Sequence, residues 1–250
     1  MKAIIVAAGM GRRLAPFTDD RPKCLVEVNG RSILDRQLDA YRASGITQFH
    51  VVRGYRAESI SRPDLYYFEN PDYARNNILW SLFCAEPAMA GGFFFSYSDI
   101  VFRKEVVAKL AASDGDYALV VDRRWEDAYA GRDLHPVGEA ELARVVDGRV
   151  LRVGKKLVAR DEAHGEFIGL ARFSSSAAEK MRATFASLKK TRPPDSPFGS
   201  ANRFESAYLT DLLNHLIDAG ETMQSVDIEG GWREIDTTQD LARANEIIDW

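Results

Sequence analysis

The stretch Met1–Gly30, MKAIIVAAGMGRRLAPFTDDRPKCLVEVNG, decides how the chain is read. Ala3–Ala8 is apolar without alternation, the pattern of a strand buried on both faces of a parallel sheet. It runs into Gly9-Met10-Gly11 and Arg12-Arg13, and Pro22-Lys23 stands before a second apolar run. A strand feeding a glycine loop with fixed positive charge suits polyphosphate, because backbone N–H groups and cations converge on one point. Two familiar phosphate loops fail by position. Leu14 stands where the third glycine of G-x-G-x-x-G belongs, and G-x-x-x-x-G-K-[ST] is absent. What remains is A-A-G-x-G-x-R with P-K behind it. Ala7, Ala8, Gly9 and Gly11 let the backbone approach a flat base and a triphosphate without side-chain obstruction. Arg13 offers a forked donor and Lys23 a compact point charge for phosphate oxygens.

Outward from that loop the pattern is β–loop–α–β. Ser32 is placed to cap a helix to about Ser44, and Phe49–Val52 and Leu65–Phe68 read as strands. Asn76-Asn77 opens a helix to about Cys84, and the apolar run Gly92–Tyr97 ends in Ser98-Asp99. A helix over Lys104–Ala111 and a strand over Tyr117–Val121 follow. Beyond Asp122 the rhythm changes. Glu139–Val146 and Arg149–Val153 flank Asp147-Gly148, an antiparallel hairpin signal. Glu166–Phe173 reads as a strand, Ala177–Leu188 and Arg203–Ala219 as helices, Thr222–Ile228 and Trp232–Ile235 as strands, and a last helix starts near Thr237. Residues 191–201 read as a connector or a moving lid. The expected fold is α/β: a Rossmann-like, mixed, mostly parallel sheet flanked by helices, with antiparallel strands inserted over the active face. The expected organisation is one domain over 1–250, a nucleotide-binding half (about 1–122) and an acceptor- and metal-completing half (about 123–250).

Composition narrows the class. The 250 residues are 46% hydrophobic, enough for a large core, and the net charge of −4 with no basic block argues against a nucleic-acid surface. Cys24 and Cys84 are far apart and lack metal spacing, so both read as reduced thiols. No apolar run approaches the ~20 residues of a membrane span or fits a signal peptide, and the expectation is a soluble cytoplasmic protein.

With Ala7, Ala8, Gly9, Gly11, Arg13, Pro22 and Lys23 in this order, the chain resembles the nucleotidyltransferase family of sugar-nucleotide pyrophosphorylases and small cytidylyltransferases. The resemblance implies a nucleoside triphosphate substrate and release of pyrophosphate. Asp99 and Asp236 each close an apolar strand, where an aspartate serves equally as a helix cap. In the order G-x-G-x-R, S-D, E-I-D-T they match the family's two metal carboxylates, and Mg²⁺ takes such hard oxygen ligands. Glu234, two residues before Asp236, reads as a supporting partner of the metal or a solvated edge charge. Ser98 and Gly54, the latter in the Arg53-Gly54-Tyr55 loop, are expected beside the nucleotide.

The N-N-x-x-x-S-L helix start, Asn76–Leu82 with Ile78, Leu79 and Trp80 inside it, resembles phosphocholine and phosphonate cytidylyltransferases. Asn77 reads as an acceptor contact or an ordinary N-cap. A choline acceptor wants an aromatic cage, which Trp125 and Tyr129 would begin, whereas Arg123, Arg124 and Arg132 suit an acceptor with extra negative charge. With Lys155 and Glu166 this stretch resembles the cytidylyltransferases of phosphonate biosynthesis, in which Glu166 would face the acceptor and Lys155 its phosphoryl group. His135, before Pro136, reads as a turn residue rather than a catalytic base. The resulting expectation is CMP transfer from CTP to a small phosphonate such as 2-aminoethylphosphonate, with Arg13 and Lys23 catalytic, Mg²⁺ as cofactor and a homodimer by family resemblance. Phosphocholine or a sugar phosphate as acceptor, and a non-catalytic nucleotide-binding module, are the alternatives.

Overall fold

The computed structural model describes residues 1–250. In chain order the strands are Lys2–Ala7 (β1), Glu27–Val28 (β2), Arg31–Ser32 (β3), Gln48–Arg53 (β4), Leu65–Glu69 (β5), Phe93–Tyr97 (β6), Ile100–Phe102 (β7), Tyr117–Asp122 (β8), Glu141–Val146 (β9), Arg149–Lys155 (β10), Gly165–Phe173 (β11), Met223–Ile228 (β12) and Trp232–Glu234 (β13). The helices are Ile33–Ala43 (α1), Ile78–Cys84 (α2), Lys104–Ala111 (α3), Trp125–Tyr129 (α4), Ser175–Thr191 (α5), Leu209–Asp218 (α6) and Thr238–Ile247 (α7).

Nine strands form one sheet in the order β5-β4-β1-β6-β11-β8-β12-β10-β9. β5, β4, β1 and β6 run parallel, and β12 is parallel to β8. β11 runs antiparallel to both β6 and β8, so the parallel part is narrower than the sequence suggests. The reason is local: the β9–β10 hairpin takes the place of a crossover helix and returns the chain in the opposite direction. β9 bonds β10 on one side and the first residues of β11 on the other, so the last five strands close on themselves. Asp147 and Gly148 both adopt positive φ, as a two-residue hairpin turn requires.

Each sheet face is covered. Leu34, Leu38 and Tyr41 of α1 and Val106, Val107 and Leu110 of α3 pack with Ile5, Val51 and Val120 on one side. Leu79 and Leu82 of α2, Met181 and Phe185 of α5, and Leu212, Leu213 and Leu216 of α6 pack with Ile4, Phe95 and Leu119 on the other. Residues of opposite parity along β1 thus enter opposite layers, which is why its sequence shows no alternation. No helix is long and apolar enough to cross a membrane.

Two elements, α6 and the β7–β13 ribbon, differ from expectation. α6 begins at Leu209, not Arg203, because the backbone at Glu205 and Ala207 accepts hydrogen bonds from Asn77 and Leu79 N–H. Asp211 then closes the helix start by accepting the Tyr208 N–H at 2.8 Å. Residues 191–201 are tied down: Phe198 is buried against Phe204, and Asp211 accepts the Ser200 N–H at 2.7 Å. The short β7–β13 ribbon was not anticipated as a pairing, and it positions the site.

Candidate active site

A cavity of about 390 Å³ opens at the C-terminal ends of β1 and β6. Such crevices are where open α/β sheets gather ligands. Ala7, Ala8, Gly9, Gly11, Arg13 and Lys23 form one wall. Gly11 has φ +59°, and a Cβ there would stand 3.0 Å from the Lys23 Cβ, so the loop passes this close to Lys23 only as glycine. Gly54 stays out of the cavity. Its missing Cβ would lie 2.7 Å from the Ala8 carbonyl oxygen, so it shapes the loop from behind.

Lys23 sits on a single turn after Pro22 and is 8% exposed. Its ammonium donates to Asp99 Oδ2 at 2.9 Å and to Asp236 Oδ1 at 2.6 Å. The two aspartates are 137 residues apart in sequence and meet through β7 and β13. Buried Gln37 on α1 donates to the Tyr97 and Ile100 carbonyls at 2.8 and 2.6 Å, holding the turn that presents Ser98 and Asp99. The Ile235 N–H donates to the Asp99 carbonyl at 2.8 Å. Asp240, in the first turn of α7, accepts the Asp236 and Thr237 N–H groups at 3.1 and 2.8 Å.

Burial disfavours the charged form of Lys23, yet the attraction of Asp99 and Asp236 outweighs it and holds the ammonium above its usual range. Burial likewise works against Asp236, but hydrogen bonding from His135 and the charges of Lys23 and Arg13 drive its carboxyl far below the usual range. Asp99 Oδ1 is buried without a hydrogen-bond partner. Asp236 Oδ2 faces only the Arg13 guanidinium and His135 Nδ1, the latter at 3.0 Å. Two carboxylates that each keep an oxygen beyond the one given to Lys23 are a donor set that fits Mg²⁺.

The opposite wall comes from the second half. Glu139, Glu141, Lys155, Glu166 and Glu234 reach the cavity together with Tyr97, Tyr208 and Trp232. Lys155 donates to Glu139 at 3.1 Å. Asn77 lines the cavity and also caps α2, while its amide donates to the Ser206 carbonyl at 3.1 Å. Glu166 accepts the Tyr129 hydroxyl on Oε1 at 2.8 Å, and its Oε2 is buried without a partner. Burial and the charge of Glu234 push Glu166 up to about 8; burial pushes Glu141 up to about 7 against the opposing pull of Lys155. For a carboxyl raised in the folded state, the folded protein holds the proton more tightly, so its contribution to stability is full below pH ~4.5 and falls away as pH rises towards 8. Glu166→Gln should therefore gain stability over wild type progressively between pH 5 and 8. Urea midpoints across that range measure it, and parallel profiles for the two proteins would contradict it.

Several expected site residues lie elsewhere. Arg132 does not reach the cavity: its side chain is 4% exposed, with Nε 2.6 Å from Asp240 Oδ1 and one terminal nitrogen 2.8 Å from Glu234 Oε2. It braces the α7 start from behind. Arg124 is exposed and pairs with Asp127, and Arg123 is exposed. Trp125 and Tyr129 are buried with Leu142 and Val158, so they form no cage facing the cavity. His135 lies at a bend before Pro136, as expected, but its ring is buried. It is 2% exposed, wedged between Asp236 and Glu234, with Nε2 3.6 Å from Glu234 Oε2. Sequence reading missed Glu139, Glu141 and Tyr208, because an acid before a strand looks like any solvent-facing charge until the sheet closes over it.

A family model described as a MobA-like NTP transferase domain matches residues 3–168. CTP:phosphoglutamine cytidylyltransferase of Campylobacter jejuni is 34% identical over 96% of this chain and 98% of its own length. 2-Aminoethylphosphonate cytidylyltransferase of Lancefieldella rimae is 27% identical over 72% of this chain and 69% of its own. Among solved structures, CTP:phosphocholine cytidylyltransferase of Streptococcus pneumoniae superposes with a TM-score of 0.75 at 22% identity, covering 98% of both chains. With its glycine loop backed by a lysine–aspartate cluster, the chain belongs, by the family match over residues 3–168 and the 34% identity to the Campylobacter relative, to the MobA-like NTP transferase family as a nucleotidyltransferase.

Proposed function

We propose that the chain transfers CMP from CTP to a small acceptor bearing a phosphoryl or phosphonyl group, a phosphonate being the preferred class, and releases pyrophosphate. The observation that carries this reading is the joining, in one cavity, of the Lys23–Asp99–Asp236 cluster under the glycine loop with a second cation, Lys155, on the facing wall. One end suits a triphosphate and the other a second anionic group. The relatives named above, which act on phosphoglutamine and 2-aminoethylphosphonate, support CTP and an acceptor of this kind.

The chemistry needs few parts. A phosphoryl or phosphonyl oxygen is already ionised near neutral pH, with a second pKa of about 6, so no general base is required. That oxygen attacks the α-phosphorus of CTP in line; the new P–O bond forms as the bond to the β-phosphate oxygen breaks, and the electron pair leaves with pyrophosphate. Arg13, half exposed and held through Asp236, presents its fork to the phosphates, and Lys23 opposes the charge that builds on the α-phosphate. Asp99 and Asp236 would hold Mg²⁺, which when bound supplies Lewis-acid neutralisation of phosphate oxygens. Lys155 receives the acceptor's anionic group. His135 and Asp240 keep Asp236 in place.

Pyrophosphate release with CTP, UTP, dTTP or GTP, across a panel of phosphonates and phosphate monoesters, tests the reading. CTP with a phosphonate should give the highest kcat/KM. Turnover confined to UTP or dTTP with sugar phosphates would make it a sugar nucleotidyltransferase. Stabilisation by a nucleotide without any turnover would make it a binding module.

A further inference from the structure

The glycine loop that leads from β1 to Lys23 has little apolar contact of its own to hold it. Within Gly9–Arg21 only Leu14 and Thr18 are buried, and Ala15, Pro16 and Phe17 are exposed. Its shape is set from a corner on the neighbouring strand, Gly54-Tyr55-Arg56 just past β4. The Tyr55 N–H donates to the Ala8 carbonyl at 3.0 Å, where the loop leaves β1. The Tyr55 hydroxyl stands 3.1 Å from the Thr18 carbonyl oxygen and 3.0 Å from that of Asp19, so its one proton is shared between two carbonyls on the far side of the loop. The only other protein donor to either is the exposed Arg56 guanidinium, 3.2 Å from the Asp19 oxygen. Thr18 passes the restraint on. Its Oγ1 donates to the Gly11 carbonyl at 3.0 Å, and Gly11 lies against Lys23. Arg13 sits between the two anchored ends of the loop.

Resting on the cytidylyltransferase reading, we infer that Tyr55 is a positioning residue for the triphosphate: its hydroxyl latches the loop 9–21 in the shape that aims Arg13 and keeps Gly11 against Lys23. Tyr55 itself is not part of the cavity wall. The two ends of the loop are held in different ways. The Ala8 contact is made by main chain and survives any side chain at position 55, whereas the contact to Thr18 and Asp19 depends on one phenol oxygen. A segment with so little buried apolar surface opens locally at low cost once that oxygen is removed. A nucleotide that needs the closed loop then binds in proportion to the fraction still closed, and its apparent affinity falls by that fraction. The complex, once formed, presents the same groups and turns over at the same rate. A residue that only supported the fold would lower stability without separating KM from kcat. The Tyr55 ring also meets Tyr73, which lines the cavity, with centroids 6.4 Å apart, and a phenylalanine at position 55 keeps that contact.

Tyr55→Phe tests the latch, with CTP and the acceptor that the wild-type protein turns over fastest. KM for CTP should rise about three- to tenfold, the range expected for the loss of a neutral hydrogen bond, with kcat within about twofold of wild type and KM for the acceptor unchanged. Without nucleotide, trypsin should cut after the exposed Arg12 and Arg13 about threefold faster or more than in wild type, and saturating CTP should restore protection. Thr18→Val, which keeps the side-chain volume and loses the bond to the Gly11 carbonyl, should show the same separation of KM from kcat, and it decides the matter if Tyr55→Phe does not fold. An unchanged KM for CTP, an unchanged cleavage rate, or a fall in kcat in place of the rise in KM overturns the inference. Absence of turnover with CTP in the wild-type protein counts against the cytidylyltransferase reading instead, and the cleavage rates without nucleotide still decide the latch.

Discussion

Lys23→Ala should lower pyrophosphate release by on the order of 10²–10³-fold in a protein that still folds, the range found when one preorganised charge is removed from a transfer site. The size of the effect follows from where the ammonium stands. It is 8% exposed and lies within 3 Å of both Asp99 and Asp236, so no water of bulk character replaces it. Without it two carboxylates face one another across a gap, and the negative charge of the α-phosphate meets repulsion in place of attraction. Asp236→Ala should give a loss of the same order for the complementary reason: Lys23 and Arg13 lose the partner that aims them. Steady-state kinetics with circular dichroism as the folding control measure both. Turnover near that of wild type in either folded variant would remove the residue from the mechanism.

Arg132→Ala should act mainly on stability. Arg132 grips Asp240 through two nitrogens, at 2.6 and 2.9 Å, and Glu234 through one at 2.8 Å, with 4% of its side chain exposed. Removing one partner of a buried ion pair leaves an uncompensated charge and costs about 3–5 kcal/mol. For a chain of this length that corresponds to a fall in Tm on the order of 10 °C. Because Asp240 also accepts the Asp236 N–H, kcat should fall as well, whereas KM for the acceptor should change little. A large rise in acceptor KM at unchanged Tm would return Arg132 to the acceptor-contacting role that its sequence context suggested.

These two residues illustrate what is legible in a linear sequence. Lys23 sits in a local pattern, A-A-G-x-G-x-R followed by P-K, whose residue types are dictated by backbone approach and fixed charge over about seventeen positions. Arg132 sits among other arginines and aromatics, and nothing local separates a cation that meets ligand from one that braces a helix. The same holds for His135, read only as a turn residue beside proline, which does lie at a bend but is also packed against Asp236. It also holds for Trp125 and Tyr129, whose aromatic character suggested a cage and whose apolar bulk instead fills a small core with Leu142 and Val158.

The order of elements, the parallel start of the sheet and the phosphate-holding loop were written in Met1–Gly30 and the hydrophobic periods that follow, because each depends on neighbours within a few residues. The β7–β13 ribbon that joins Asp99 to Asp236, the closure of β9 onto β11 and the unpaired state of Glu166 depend on segments more than 20 residues apart. Burial is a property of what packs above a side chain, and charge balance is a sum over everything within a few ångströms. Neither quantity exists until the chain has folded, and so the reaction class can be read along the strand while the side chains that close the cavity are read only across it.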